Sequence, residues 1–229
     1  DYYKNVKQIQ KSFLKFLEGV DSRGEIWISA DCKNARIVAS KLDRAIHTYG
    51  ESAEADLRFS DYERGSSFTH VRVWLREDLL GSLSLSIPGR FNVHNALAAV
   101  AAGQYAGLSF EKIADILKDY RGIQRRMQMK GRSAGVTVID DYAHHPTEIR
   151  VTLNALRERF HGRRVGVFQP HRYTRTKHLK DEFSKSFQDV DVLILTDVYS
   201  AGESPLEGVD GETLFRAIRR NHRDVVYVP

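Results

Sequence analysis

The sequence has little cysteine and no long apolar run, and both absences narrow what the chain can be. Cys32 is the only cysteine among 229 residues, so an internal disulfide and a thiolate metal cluster are both excluded. Apolar stretches are far shorter than the roughly 20 residues of a membrane-spanning helix, and no basic-then-apolar secretory leader opens the chain. These features favour a soluble cytoplasmic protein in which Cys32 is a buried small hydrophobic residue.

An excess of one charge is also missing. The formal net charge is +5, but the 35 basic and 30 acidic residues are mostly interspersed, which is typical of a solvated surface and argues against nucleic-acid binding. Two basic clusters stand out, one at Arg121, Arg125 and Arg126 and the other at Arg172, Arg175 and Lys177. Guanidinium groups grip phosphate or carboxylate through paired hydrogen bonds, so both clusters suit a small anionic ligand.

The first half of the sequence predicts helices mixed with short strands. Helical spacing of apolar residues predicts an amphipathic helix over residues 6–16, and its abrupt start suggests a piece cut from a longer protein. Alternation over residues 68–74 predicts a half-buried strand suited to antiparallel pairing. An alanine-rich helix is predicted over residues 92–106, followed by a helix over residues 109–117 with Ser109 as its N-cap. Further elements are predicted at residues 25–29, 35–42, 46–49, 55–59 and 83–87.

From residue 122 onward the pattern changes to a regular alternation of strands and helices. Strands are predicted at residues 136–139, 164–168, 190–196 and 225–228, with helices at residues 146–160, 177–187 and 213–221. Such repetition predicts an α/β fold with a mostly parallel sheet, flanking helices and right-handed crossovers. Because Tyr120-Arg121-Gly122 breaks the earlier pattern, a domain boundary is expected between residues 121 and 122.

Two polar segments follow neighbouring strands of this second half. They are Asp140-Asp141-Tyr142-Ala143-His144-His145-Pro146-Thr147-Glu148 and Phe168-Gln169-Pro170-His171-Arg172-Tyr173-Thr174-Arg175-Thr176. The carboxyl ends of parallel strands meet at one edge of a sheet, beside helix amino ends whose N–H groups favour anions. We therefore expect both segments, together with Asp197 and Glu203 after a third strand, to form one site.

Other interpretations of these residues are weaker. A lone His or Asp usually caps a turn or satisfies the backbone, but the density of such residues in short loops favours a ligand site. A metal bound by His144, His145 and His171 is disfavoured because adjacent histidines in a loop rarely point at one ion. A Ser-His-Asp hydrolase is disfavoured because no Gly-x-Ser-x-Gly elbow occurs.

Four motifs, in this order along the chain, closely resemble those of the ATP-dependent Mur ligases. They are Pro88-Gly89-Arg90-Phe91-Asn92-Val93-His94-Asn95-Ala96-Leu97-Ala98-Ala99, Arg125-Arg126-Met127, and the two polar segments. Within the family, the last segment resembles that of the alanine-adding members. The resemblance implies that residues 1–121 are the latter half of a central ATPase domain with some antiparallel strands. It implies that residues 122–229 are a truncated, Rossmann-like C-terminal domain.

The resemblance also implies an activity, namely ATP-dependent ligation of L-alanine to UDP-N-acetylmuramate through an acyl phosphate. This reaction belongs to peptidoglycan precursor synthesis, and hence to cell-wall growth, shape and division. The implied cofactors are ATP and Mg²⁺, and the implied partners are these small molecules, with no nucleic acid and no membrane. Because no Gly-x-x-x-x-Gly-Lys-Ser/Thr motif occurs, the phosphate-binding loop and most metal ligands are expected in a missing N-terminal portion, and the fragment alone is expected to be inactive. A Mur ligase for another amino acid or peptide, and a non-catalytic nucleotide-binding domain, are the alternatives.

Residue roles follow from the same resemblance. Among the nucleotide-binding residues, Asn95 resembles the contact to adenine, and Asn92 is expected to brace the helix start or the base pocket. Arg126, with Arg125 as the second candidate, resembles the arginine that contacts the nucleotide, and Asp141 resembles the carboxylate that binds the ribose. The residues that resemble the site for the amino acid and the phosphate-bearing acceptor are Tyr142, His144, His171, Arg172 and Arg175, of which His144, Arg172 and Arg175 are the implied catalytic residues. A hinge for domain closure is expected over residues 120–131.

Overall fold

Two separate units divide the chain between Arg121 and Gly122. The computed structural model describes residue 3, residues 5–65 and residues 68–229, and it groups the chain into one unit that ends at Arg121 and one that spans Gly122–Pro229. Each unit has its own buried apolar cluster. We describe the two units one at a time.

A five-stranded mixed sheet forms the centre of the N-terminal unit, in the order β1-β2-β3-β4-β5. Its strands are β1 (Trp27–Ser29), β2 (His47–Gly50), β3 (Leu57–Arg64), β4 (Thr69–Leu75) and β5 (Asp78–Leu85), and its helices are α1 (Val6–Glu18), α2 (Lys33–Ala39), α3 (Arg90–Tyr105) and α4 (Phe110–Asp119). The first three strands run parallel, while β4 and β5 are joined to them by antiparallel pairing. This combination confirms the predicted α/β fold with some antiparallel strands.

The apolar pattern of the sequence explains how this unit packs. In β4, Val71 and Val73 are buried and His70 is exposed, as the predicted alternation requires. The alanine-rich helix α3 begins after Gly89, whose φ of 98° suits glycine better than other residues. Leu97 of α3 is fully buried in the same apolar cluster as the inward-facing side of the sheet.

The C-terminal unit contains a parallel three-stranded sheet in the order β10-β9-β8. Its elements are β6 (Gln128–Ser133), β7 (Val136–Asp140), α5 (Pro146–Arg159), β8 (Val165–Phe168), α6 (Tyr173–His178), α7 (Lys180–Phe183), β9 (Val192–Leu195), α8 (Gly211–Arg219) and β10 (Val225–Tyr227). Phe183, Leu193, Leu214 and Ile218 are fully buried and tie α7 and α8 to the sheet. The predicted parallel sheet is therefore present.

The placement of β7 differs from the sequence prediction. It pairs antiparallel with β6 in a hairpin of its own rather than joining the parallel sheet. Ala134 and Gly135, at φ 48° and 79°, form the two-residue turn of this hairpin, as tight hairpins require. A cleft of about 890 Å³ lies between β7, α5 and β8, so Val165 and Val167 of β8 remain exposed.

Two further expectations need correction, and one strand was not predicted. The sequence did not predict β6, which overlaps the segment expected as a hinge at residues 120–131, because the exposed residues of β6 show no apolar alternation. The single helix expected over residues 177–187 is two short helices that are separated at Leu179. Cys32 is exposed rather than buried, because it precedes α2 at the surface.

None of the described helices combines the length and the apolar character that a membrane crossing requires.

The packing of α3 gives a direct test of the N-terminal unit. Leu97→Ala should lower its free energy of unfolding by about 2–5 kcal/mol, because it leaves a cavity at a fully buried position. The two tryptophans, Trp27 and Trp74, both lie in this unit, so urea denaturation followed by tryptophan fluorescence reports it selectively. The matched control, Leu79→Ala, changes a half-exposed leucine and should cost less than about 1 kcal/mol. Equal costs for both variants would contradict this packing.

Candidate active site

The two polar segments of the sequence lie together in the C-terminal unit. One follows β7 and leads into α5, and the other follows β8 and leads into α6. The rings of His144 and His171, one from each segment, have centroids 6.2 Å apart. The third strand, β9, is followed by Tyr199, whose ring centroid lies 5.4 Å from that of His171.

Asp141 fixes the start of the first segment. One carboxylate oxygen accepts a hydrogen bond from the backbone N–H of Ala143 and the other from that of Met127, both at 2.8 Å. The N–H of Tyr142 donates to the carbonyl of Arg125 at 2.7 Å, so the loop is tied to the residues before β6. A carboxylate has further lone pairs, so Asp141 retains the capacity to accept from ligand hydroxyls.

His145 caps helix α5. Its Nδ1 accepts from the N–H of Thr147 at 3.2 Å, and the Glu148 carboxylate accepts from the N–H of His145 at 3.3 Å. Pro146 at the first helical position lacks the N–H that would otherwise remain unpaired. Burial, opposed in part by Glu148, lowers the pKa of His145, which agrees with a neutral ring whose Nδ1 accepts a hydrogen bond.

Glu148 connects several members of the site. Besides His145, its carboxylate accepts from the N–H of His144 at 3.1 Å and lies 3.9 Å from Nη1 of Arg126. Burial raises the pKa of Glu148, but these hydrogen bonds and the neighbouring His144 and Arg126 outweigh burial and lower it overall. The sequence prediction gave Glu148 no role. Its position three residues after a capping residue, the spacing of a capping box, was the signal that could have identified it.

His144 is held in one orientation by the backbone. Its Nδ1 lies 2.8 Å from the carbonyl oxygen of Tyr142, and since a carbonyl can only accept, Nδ1 carries the proton. Nε2 is consequently the basic nitrogen of the neutral ring. The Tyr142 ring contacts it edge-on at 5.0 Å between centroids.

His171 and Arg175 form a second pair in the other segment. Nη1 of Arg175 donates to Nδ1 of His171 at 3.3 Å, which requires His171 to be unprotonated at that nitrogen. Burial and then the positive charges of Arg175 and Arg172 lower the pKa of His171, in agreement with a neutral ring. Burial and then Arg172 also lower the pKa of Arg175, although a guanidinium stays charged at neutral pH. The positive charge of the pair, on Arg175, is therefore partly desolvated.

Arg172 begins helix α6 in an unusual conformation. Its φ is 73°, and its N–H donates to the carbonyl of Tyr199 at 2.8 Å. Nη1 of Arg172 lies 3.5 Å from the carboxylate of Glu203. Tyr199 and Glu203 both come from the loop after β9, so this third loop supports the second segment. The sequence grouped Glu203 with the site but did not indicate its partner, and it gave no signal for Tyr199.

Asp197, which the sequence grouped with Glu203, binds a different partner. Its carboxylate accepts a hydrogen bond from the hydroxyl of Tyr227 in β10. This bond and burial raise the pKa of Tyr227 to about 12.

Asn92 and Asn95 lie on α3, in the N-terminal unit. Nδ2 of Asn92 donates to the carbonyl of Pro88 at 2.6 Å, which braces the start of the helix. The exposed Asn95 places its Nδ2 3.5 Å from Oδ1 of Asn92. His94, between them, lies 3.6 Å from the carboxylate of Asp31.

Across the residues that the structure describes, no three His, Cys, Asp or Glu side chains are arranged to hold a metal ion. The donors that Mg²⁺ prefers are carboxylate and carbonyl oxygens and water. The carboxylates of Glu148 and Glu203 are instead engaged by backbone N–H groups and arginines.

Comparison with known proteins identifies the family. The Mur ligase middle domain matches residues 1–103, and the domain described as "Mur ligase, glutamate ligase domain" matches residues 125–229. The chain belongs to the Mur ligase family. Among solved structures, the fold resembles a UDP-N-acetylmuramate-alanine ligase from Thermotoga maritima, with a TM-score of 0.76 and 23% identity over 98% of this chain and 47% of that one. A murein peptide ligase from Psychrobacter arcticus has a TM-score of 0.63 and 21% identity over 99% of this chain and 48% of that one.

Relatives with higher identity share one name. The UDP-N-acetylmuramate–L-alanine ligase of Pelotomaculum thermopropionicum is 46% identical over all of this chain and 50% of its own length. That of Salinibacter ruber is 44% identical over all of this chain and 49% of its own length. The chain thus spans about half the length of the curated relatives it matches.

The cap of α5 predicts a pH dependence of stability. Because the pKa of His145 is lower in the fold than the ordinary value near 6.5, the unfolded chain binds the proton more readily. This contribution is present above about pH 6.5 and is lost as the pH falls below it. His145→Asn keeps a capping acceptor without titrating, so it should lose less stability than the unmodified chain between pH 8 and pH 5.5, as measured by urea denaturation with circular dichroism.

A second variant controls for the loss of the cap itself. His145→Ala removes the acceptor at every pH and should cost roughly 0.5–2 kcal/mol at pH 8. If the asparagine variant lost as much stability on acidification as the unmodified chain, His145 would not be the titrating group.

Proposed function

We propose that these residues are part of a Mur ligase that joins L-alanine to UDP-N-acetylmuramate in an ATP-dependent reaction. The observation that carries this proposal is the cluster formed by His144, His171, Arg172 and Arg175. It is supported by identities of 40–46%, over nearly the whole length of this chain, to several ligases of that name. Residues 1–121 would then be the latter half of the central ATPase domain, and residues 122–229 most of the C-terminal domain. Such a precursor-synthesis enzyme would work in the cytoplasm.

The reaction explains why the site is rich in cations. The muramoyl carboxylate attacks the γ-phosphorus of ATP, which gives an acyl phosphate and ADP. The amine of alanine then attacks the acyl carbon, and inorganic phosphate leaves as the amide forms. Both steps gather negative charge around the transferred group, and preorganised cations stabilise such charge more effectively than water does.

Arg172 and Arg175 suit the anionic ends of the reactants. A guanidinium binds a carboxylate or phosphate through two parallel hydrogen bonds, which fixes orientation as well as charge. We propose that these arginines and His171 bind the carboxylate of alanine and the phosphate-bearing end of the acceptor. Arg175 is partly desolvated beside a second cation, so an incoming anion lowers the electrostatic energy of the pair.

His144 suits the amine of alanine. Because Nδ1 donates to the Tyr142 carbonyl, Nε2 offers its lone pair to a proton of the attacking amine. The ring of Tyr142, which lies edge-on to His144, would limit where the small alanine side chain can sit. Proton transfer to a neutral imidazole is effective near neutral pH, where the amine must lose its proton.

The remaining assignments concern ATP. Asn95, supported by Asn92, would contact adenine through its carboxamide, while Arg126 and Asp141 would contact the nucleotide and its ribose. Asn92 bonds to Pro88 and Asp141 to Met127 and Ala143, so both have a bracing role as well. Mg²⁺ is usual for ATP-dependent ligation, but the described side chains form no cluster that fits it, and none of these residues is assigned to it.

The assignment of Arg175 can be tested in a full-length protein that carries these residues. Arg175→Lys keeps the charge but removes the planar fork, so kcat/KM for alanine should fall by about tenfold or more, as measured by alanine-dependent phosphate release. Lys180→Ala, a change of an exposed cation on the neighbouring helix α7, should leave kcat/KM within about twofold. Equal effects of the two variants would remove Arg175 from the site.

The chain of 229 residues should show no ligase turnover by itself. It contains no phosphate-binding Gly-x-x-x-x-Gly-Lys-Ser/Thr motif, which would cradle the β- and γ-phosphates of ATP. Phosphate release should therefore stay at background with ATP, Mg²⁺, UDP-N-acetylmuramate and alanine, and should appear once the upstream half is restored. Turnover by this chain alone, or a restored protein that prefers another amino acid, would contradict the proposal.

A further inference from the structure

We propose that Glu203 is a positioning residue, which caps helix α6 from a distant loop and thereby sets the orientation of Arg172. This inference rests on the proposed function of the site but concerns a residue that has no assigned role in it. Its basis is a set of contacts between the loop after β9 and the start of α6.

Glu203 makes three contacts with the start of α6. One carboxylate oxygen accepts from the backbone N–H of Thr174 at 3.0 Å. The other accepts from the hydroxyl of Thr174 at 2.7 Å and lies 3.5 Å from Nη1 of Arg172. With both oxygens engaged inside the protein and the side chain only 18% exposed, Glu203 is bound to the helix rather than directed at a ligand.

Helix α6 needs such an acceptor. The first N–H groups of a helix have no partner within it, and a side chain at the N-cap normally accepts from one of them. In α6 the N-cap is Arg172, whose side chain can only donate, and it makes no capping bond. Glu203 supplies the missing acceptor from 29 residues further along the chain, and its negative charge suits the positive end of the helix.

The loop that carries Glu203 is itself tied to the second segment. The N–H of Tyr199 donates to the carbonyl of Pro170, and the carbonyl of Tyr199 accepts from the N–H of Arg172, both at 2.8 Å. Ala201 and Gly202, with φ of 50° and 84°, then turn the chain back. The turn brings Glu203 to the Arg172 side chain.

This arrangement also stabilises the backbone of Arg172. A positive φ is unfavourable for a residue with a long side chain, and it persists only where the surroundings hold it. Two backbone bonds of Tyr199 and the carboxylate of Glu203 fix the residues on each side. The carboxylate also engages one nitrogen of Arg172, which gives the guanidinium a defined direction.

The first test measures catalysis in the full-length protein. Glu203→Gln retains an acceptor for Thr174 but loses the charge that orients Arg172. We expect kcat for alanine-dependent phosphate release to fall on the order of tenfold, while KM for alanine and for UDP-N-acetylmuramate changes less than about threefold. Thr174→Val removes one hydrogen bond and keeps the charge, so it should lower kcat by a smaller factor, about two- to fourfold. Glu207→Gln, an exposed glutamate of the same loop, should leave kcat unchanged.

The second test does not depend on activity. Hydrogen exchange followed by mass spectrometry should show faster exchange over residues 171–178 in Glu203→Gln and Thr174→Val, but not in Glu207→Gln. Absence of alanine-dependent turnover in the unmodified full-length protein would overturn the proposed function and leave the exchange result to decide the role of Glu203. Unchanged exchange together with unchanged kcat would overturn the inference. So would a tenfold rise in KM with kcat unchanged, which would make Glu203 a substrate contact.

Discussion

The site depends on two neighbouring arginines, Arg172 and Arg175, that are held among carboxylates. Arg172 and Arg175 repel each other, and burial makes the charge of Arg175 more costly still. Glu203 offsets this cost beside Arg172, and Glu148 contributes a negative charge from α5 on the other segment. Both guanidiniums are thereby held in a fixed place among carboxylates.

A neutral His171 follows from the same charge distribution. His171 lies beside both arginines, so its protonated form is disfavoured, and it accepts a hydrogen bond from Arg175 instead. His144 is oriented by the Tyr142 carbonyl and keeps a basic nitrogen available. The two imidazoles lie 6.2 Å apart between ring centroids, so the residues that orient them are close neighbours.

Much of the fold could be predicted from local signals. The burial alternation of β4, the N-cap at Ser109 and the succession of strands and helices after residue 122 all follow from side-chain periodicity and capping chemistry. Strand β6 could not be predicted in this way, because a two-stranded hairpin with exposed side chains needs no apolar alternation. The sequence also failed to predict that the helix expected at residues 177–187 is split in two, since the apolar spacing of Leu179, Phe183 and Phe187 continues across the break.

The site was predictable as a set of segments but not as a set of contacts. The histidines and arginines could be grouped because each segment links a strand to the helix that follows it, although β7 lies in a hairpin of its own rather than in the expected parallel sheet. The contacts of those residues could not be predicted. The distance from Arg172 to Glu203 is set by a turn at Ala201 and Gly202, and this turn leaves only a weak signal in the sequence. Glu148 does have a sequence signal, its capping-box spacing after His145, but that spacing indicates a helix start and not its contacts with His144 and Arg126.

The most direct measurement is a crystal structure of the full-length protein with a non-hydrolysable ATP analogue, UDP-N-acetylmuramate and L-alanine. The account predicts an anionic oxygen of a reactant within about 3.5 Å of the guanidinium of Arg172 or Arg175, with Glu203 still bonded to Thr174. Reactants bound elsewhere, with both guanidiniums directed only at solvent, would contradict it.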